Sequence, residues 1–230
     1  MRMRIMFMSG TAIVLFASLL GAGCSHALGT VELYSCAKPT AEGSKPMLTP
    51  ELVDYGNVYL DGALRDLANA EIVDVQAPLR QSSDCFGRAL RLTPDSYEAQ
   101  LSMSVAYLAR ARLAAVGSSD RASLLDGARH MLGRAYMLRH GAYEPLYYLA
   151  EVALAEGKPQ EARRLLEPLR VAGVKEGPVN MLLGSLSERE GKARAAEAFY
   201  RKAVAAGWPA DTLIFAASRL RQLSSNTGAR

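Results

Sequence analysis

Histidine and tryptophan are scarce in this chain, cysteine hardly less so, and no stretch after residue 24 strings together enough apolar residues to cross a bilayer. Each scarcity excludes a class of function. The three histidines are His26, His130 and His140, and no two stand four residues apart, so none share a helix face as metal ligands. Cys24, Cys36 and Cys85 form no Cys-x-x-Cys, which removes zinc-ribbon and dithiol redox motifs. Gly-x-Ser-x-Gly and a phosphate loop ending in Gly-Lys-Ser/Thr are also missing, and the carboxylates are scattered among other helix-surface charges. The chain is therefore expected to have no catalytic residues, no metal and no cofactor, and not to be an enzyme or to take a small-molecule substrate. The net charge is +4, and without Arg2 and Arg4 the surplus falls to two. Arg163, Arg164, Arg189 and Arg194 interleave with Glu161, Glu167, Glu188 and Glu190, the pattern of solvated helix faces rather than of a nucleic-acid surface.

What is present is a repeat. Ala128, Ala162 and Ala196 recur with a 34-residue period, and each opens the same pattern four and seven residues on: Leu132 and Ala135, Leu166 and Leu169, Tyr200 and Ala203. Those offsets mark one face of an α-helix. Segments 149–154 and 183–188 precede Gly157 and Gly191, again one period apart, which read as turns between the two helices of a hairpin. Farther upstream, Ala99, Met103, Ser104, Ala106 and Tyr107 occupy first-helix positions, and Phe86 and Ala89 end one more repeat whose counterpart of Ala128 is Ser82. The interval from Ser82 to Ala128 exceeds the period by a dozen positions and predicts an insertion in the turn around Ala115 to Asp126, with Ser119 or Asp120 capping the next helix. Pro168 falls late in a second helix, where it should kink the last turn.

From about residue 80 to 207 this register resembles the tetratricopeptide repeat, in which small residues let two helices of a hairpin pack closely. The resemblance implies an all-α solenoid of three to four antiparallel hairpins. It also implies that first helices line a groove for a protein or peptide. Groove positions then fall on Glu98, Leu101, Val105 and Leu108, on Glu144, Tyr147, Glu151 and Leu154, and on Met181, Ser185, Glu188 and Arg189. Leu101, Val105 and Leu154 serve equally well as packing between hairpins, so Glu144, Tyr147, Glu151, Met181, Glu188 and Arg189 are the partner-binding candidates, with Tyr147 and Glu151 foremost. Aromatic and aliphatic groups beside carboxylates suit a segment with apolar and basic side chains.

The N-terminus has Arg2 and Arg4, an apolar run from Ala12 to Leu20, then Gly21-Ala22-Gly23-Cys24. A charged start, a short apolar middle and small residues at the end make an export signal. Its last four residues resemble a bacterial lipobox, with Gly21 where Leu is usual. The resemblance implies a signal over 1–23, acylation of Cys24, and transport to the outer membrane on the periplasmic side; ordinary secretion with cleavage after Ala27 is the alternative. With Cys24 lipidated, Cys36 and Cys85 remain as an even pair in an oxidising compartment. A bridge would close a loop of about 50 residues and stabilise by roughly 3 to 4 kcal/mol; two unpaired thiols are the alternative.

The remaining segments complete the plan. Residues 24–48 read as a tether, rich in Gly, Ser, Pro and Ala. Thr49-Pro50-Glu51 reads as a helix start with Thr49 as cap, and Leu52, Tyr55, Tyr59, Ala63 and Leu67 form a face that covers the first repeat. The repeat domain spans 49–207, a capping helix 208–223 and a tail 224–230. The whole resembles small repeat lipoproteins of pilus and secretion systems, including pilot proteins and the lipoprotein of tight-adherence pili. That implies a scaffold for complex assembly at the outer membrane; an adaptor for peptidoglycan hydrolases and proteases is the other reading, an enzyme or small-ligand binder a distant third.

Overall fold

The computed structural model describes residues 47–68, 74–174 and 176–206. These belong to one compact unit that begins at Met47. The expected signal, Cys24, Cys36, the tether up to residue 46, the expected capping helix over 208–223 and the tail lie outside the described residues.

The described residues form eight α-helices and no strand: α1 (Thr49–Ala68), α2 (Gln76–Leu92), α3 (Tyr97–Leu113), α4 (Ser119–Leu138), α5 (Tyr143–Ala155), α6 (Pro159–Val171), α7 (Glu176–Arg189) and α8 (Ala193–Ala205). Consecutive helices pair as four hairpins, and the first helices α1, α3, α5 and α7 also touch in series. The architecture is a tetratricopeptide-like solenoid. Its core is a row of layers, each made by one hairpin and the first helix of the next. Leu52, Leu79, Phe86, Met103 and Ala106 form the first layer, Leu108, Leu125, Leu132 and Val152 the second, Ala150, Leu166, Val179 and Leu183 the third. Each hairpin thus buries its face only against its neighbour.

The repeating positions explain why. Ala128, Leu132, Ala135, Ala162, Leu166, Leu169, Ala196, Tyr200 and Ala203 are all buried, as are Ser82, Phe86 and Ala89. Fit between the two helices of a hairpin is a matter of complementary volume. A Cβ on Gly184 would lie 2.5 Å from the Tyr200 ring, and one on Gly56 would lie 2.3 Å from Phe86. Where the second helix carries Leu166 instead of an aromatic ring, the first helix carries Ala150. The turns follow the sequence reading: Gly157 and Gly191 take φ of +76° and +72°. Lys158 N and Lys192 N then reach back to the carbonyls of Ala153 and Ser187, each at 2.8 Å, closing the helix C-termini in the Schellman manner.

Three expectations change. First, α1 is the first helix of a complete hairpin with α2 rather than a cover alone. Its buried face is Leu52, Val53, Gly56, Leu60 and Ala63, while Tyr55, Tyr59 and Leu67 are only partly buried. Second, Thr49 does not cap α1: Glu51 Oε2 accepts from Leu48 N at 2.8 Å, and the Thr49 hydroxyl pairs with that of Thr93 at 2.8 Å. Third, the extra residues of the second hairpin are helix, not loop. Ala128 lies nine residues into α4 where Ala162 lies three into α6, so α4 gains more than a turn and a half at its start, and the turn is confined to residues 114–118. Ser118, ahead of both expected residues, is the cap, accepting from Arg121 N at 3.2 Å. Pro168 falls late in a second helix, as expected, within an α6 that runs on to Val171 and keeps Leu169 buried.

Candidate protein-binding groove

The layer of first helices gathers the expected groove residues. Asp61 of α1 contributes to the electrostatics at Tyr148 of α5 although α3 stands between them. Tyr148 is raised to about 12 from 10.0, first by burial, then by Glu151, with Arg112 opposing and Glu144 and Asp61 adding. Three carboxylates therefore act on one phenol.

At the centre, Glu151 Oε1 accepts from Arg112 Nη2 of α3 at 3.0 Å and from the Tyr147 hydroxyl at 3.4 Å. The carboxylate is mostly covered, at 13% exposed, while the Arg112 side chain keeps 56% of its surface in solvent. Tyr147 and Tyr148 meet edge to face with ring centres 5.1 Å apart. Burial pushes the Tyr147 phenol well up, and the Glu151 charge adds to it. Tyr147 also packs against the third core layer. It is therefore both a groove residue and a structural one, which the sequence does not reveal. The i, i+4 spacing brings Tyr147 and Glu151 together on α5, as expected.

The other candidates divide. Glu144 is half-buried and accepts from the Tyr97 hydroxyl at 3.4 Å. The Arg139 guanidinium lies 3.8 Å over the Tyr97 ring and pairs with Glu98 at 2.8 Å. Met181 packs against Ala196 and Tyr200, and Glu188 accepts from the Tyr200 hydroxyl at 2.6 Å, so both support the last hairpin. Arg189 is exposed but spends one donor on the Leu154 carbonyl at 2.7 Å, satisfying the end of α5. Leu108 and Leu154 are buried; Leu101, Val105 and Ser185 are half-exposed.

Arg112, Tyr148 and Asp61 are groove residues that sequence reasoning passes over. Arg112 pairs with a distant residue from within the hairpin that breaks the period, and Asp61 belongs to a helix read as a cover. Charges read as solvated faces also prove to be joints. Arg129 bonds Glu156 at 2.6 Å and Arg163 bonds Glu190 at 2.8 Å, with Lys158 and Lys192 adding 2.8 and 2.9 Å contacts. These two clusters are the same joint moved by one period, a signal available in the sequence. Hydrogen bonds from Lys192 and Arg163 hold Glu190 below the usual carboxylate range. Burial pushes Glu156 up, but Arg129 and Lys158 outweigh it and hold it low.

Among the described residues, no three His, Cys, Asp or Glu side chains come together as a metal site, and no helix is long and apolar enough to cross a membrane. Cys85 is fully buried beside Phe86 in α2.

Layered hairpins with a continuous inner face define the fold as that of a tetratricopeptide-like helical-repeat protein. No family model and no curated protein sequence matches the chain. Solved structures do. A thermophilic TPR protein of Thermus thermophilus is similar with a TM-score of 0.60 and 19% identity, over 76% of this chain and 83% of that one. A tetratricopeptide repeat protein of Parabacteroides merdae is similar with a TM-score of 0.58 and 13% identity, over 78% of this chain and 59% of that one. At 20% identity and 77% and 90% coverage, pilF of Pseudomonas aeruginosa reaches a TM-score of 0.34, too low to carry an argument.

Proposed function

We propose that this chain is a lipid-anchored scaffold on the periplasmic side of the outer membrane, whose inner groove holds a protein partner during assembly of a pilus or secretion complex. The observation that carries the groove is the cluster on α3 and α5: Tyr147, Tyr148 and Glu151 beside Arg112, with Glu144 and Asp61 adding negative charge. Two tyrosines give contact area at low entropy cost, and the carboxylates favour a partner segment with apolar and basic side chains. The anchor rests on the lipobox-like Gly21-Ala22-Gly23-Cys24.

Because Tyr147 also packs inward, the test keeps its ring. Tyr147→Phe with Glu151→Gln removes the hydroxyl and the charge while keeping volume, and binding of a partner identified by crosslinking in intact cells should weaken by about 1 to 3 kcal/mol. A secretin or pilin subunit among the trapped proteins supports the assembly role; cell-wall hydrolases would support the adaptor reading instead. Unchanged binding by the double variant, together with its loss on altering the turn around Gly117, would move the site to that turn. For the anchor, Cys24→Ser should abolish fatty-acid labelling and release the protein from membranes; retained labelling removes the lipoprotein reading.

A further inference from the structure

One edge of the solenoid is more apolar than the rest. It is the edge where each second helix ends and the next first helix begins. The Thr49 and Thr93 hydroxyls meet there, and Arg134 of α4 and Arg139 just after it pair there with Asp95 and Glu98. Among the described residues nine large hydrophobic side chains are exposed, and six occupy this edge: Leu48 60%, Leu92 60%, Met137 66%, Leu138 41%, Val171 71% and Val204 37%. Scattered apolar residues are ordinary on any surface, but these gather where second helices end and first helices begin. Leu92 and Leu138 are separated by one long repeat and Met137 and Val171 by one regular repeat; the two pairs stand one position apart, and Val204 falls where the preceding hairpin has Arg170. With adjacent helices about 8 to 10 Å apart, the row runs the length of the array.

Cations interleave with it. Arg91, Arg170 and Lys202 stand in the last turns of α2, α6 and α8, and Arg139 follows α4. Arg139 is paired with Glu98 and Arg170 with Glu167, leaving Arg91 and Lys202 with no ion pair among the described residues. The chain also enters the solenoid here, at Met47 and Leu48, after the segment that follows the expected lipid site.

We propose that this edge is a bilayer-contacting surface: Leu48, Leu92, Met137, Leu138, Val171 and Val204 enter the headgroup boundary while Arg91 and Lys202 meet lipid phosphates. Aliphatic side chains set among cations are the composition of an interfacial membrane surface. An acyl anchor joined at the same edge would hold it there. The proposal rests on the lipid-anchor reading, and its test keeps the two separate.

The chain from residue 24 onward, carrying Cys24→Ser and so lacking any acyl group, is mixed with vesicles of phosphatidylethanolamine and phosphatidylglycerol and sedimented. Measurable binding is expected, weakened at least tenfold by Met137→Glu with Val171→Glu, two exposed positions whose change leaves helix content intact. Val116→Glu, at the 91% exposed tip of the second hairpin on the opposite edge, should leave it unchanged. Absence of vesicle binding, equal binding by the edge variant, or loss in the Val116 variant alone overturns the proposal. So does an edge variant that loses a protein partner while still binding vesicles. Fatty-acid labelling of the unmodified protein reports on the anchor independently: labelling without edge binding sinks only the edge, and edge binding without labelling sinks only the anchor.

Discussion

Gly184→Ala places two familiar effects in opposition, and the structure decides between them. Alanine inside a helix is favoured over glycine by about 0.5 to 1 kcal/mol, so on propensity alone the change should stabilise α7. Yet the new methyl would meet three ring carbons of Tyr200 at 2.5, 2.7 and 2.9 Å. That ring is fully buried, and its hydroxyl is held by Glu188 at 2.6 Å. Swinging it aside weakens that bond, worth about 1 kcal/mol, on top of an overpacking cost of roughly 1 to 3 kcal/mol. The net expectation is a loss of about 1 to 3 kcal/mol after the helix gain is subtracted.

Gly133→Ala is the matching control, because nothing lies within 4 Å of its Cβ position. It should stabilise by about 0.5 to 1 kcal/mol. Combining Gly184→Ala with Tyr200→Leu recreates the Ala150 and Leu166 combination of the preceding hairpin, and the pair should be less destabilised than the sum of its single changes by about 1 to 2 kcal/mol. Urea unfolding followed by far-ultraviolet circular dichroism measures all four variants. A Gly184→Ala protein as stable as the parent, or additive behaviour in the double variant, would refute the volume-matching account of how these hairpins close.

Stability should fall at both ends of the pH range. Glu156 and Glu190 are held below their ordinary value of 4.5, so their contribution is complete above that value and is lost as pH falls through their lowered folded values. Tyr97 and Tyr148 are raised from 10.0 to about 12, first by burial, so the folded state is favoured below 10 and loses that advantage as pH rises toward 12. Melting scans check both limbs, and Arg163→Ala should flatten the acid limb by removing one partner of Glu190. Cys36 and Cys85 should appear as one linked peptide under non-reducing mass analysis of protein taken from its own compartment; two alkylatable thiols would contradict the pairing.

What is legible in this sequence is what repeats. The 34-residue spacing identifies the helix faces of three hairpins because each must present the same small and apolar residues to a neighbour built in the same way. It also contains the joint Arg129–Glu156, repeated as Arg163–Glu190, although interleaved charge resembles a solvated surface unless the spacing is followed through the charged residues too. Legibility ends where the period does. The second hairpin lengthens its helices instead of its turn: residues 119–125 continue α4, where Leu125 packs with Val152 of α5, and a change of helix length leaves no mark in turn residues. The first hairpin conceals its pairing for the same reason: Gly56 meets Phe86 across nearly twice the sequence separation at which Gly184 meets Tyr200.

The groove is less legible still, and the cause is physical. A packing residue faces the next copy of the same repeat, so its identity is constrained to recur; a groove residue faces a different molecule, and nothing inside the chain obliges it to repeat. Arg112 has no counterpart in α5, because it stands in the part of α3 that runs on beyond the length of α5, and Glu151 corresponds to Ser185. Those departures set the centre of the groove apart from its ends: a carboxylate shared by Arg112 and Tyr147 on α3 and α5, against Glu188 and Arg189 on α7, which spend their bonds on Tyr200 and on the end of α5. A partner that competes for Glu151 must displace a mostly exposed arginine, a small cost, whereas one that competes for Glu188 must uncover a buried tyrosine hydroxyl. The middle of the solenoid is therefore where binding disturbs folding least.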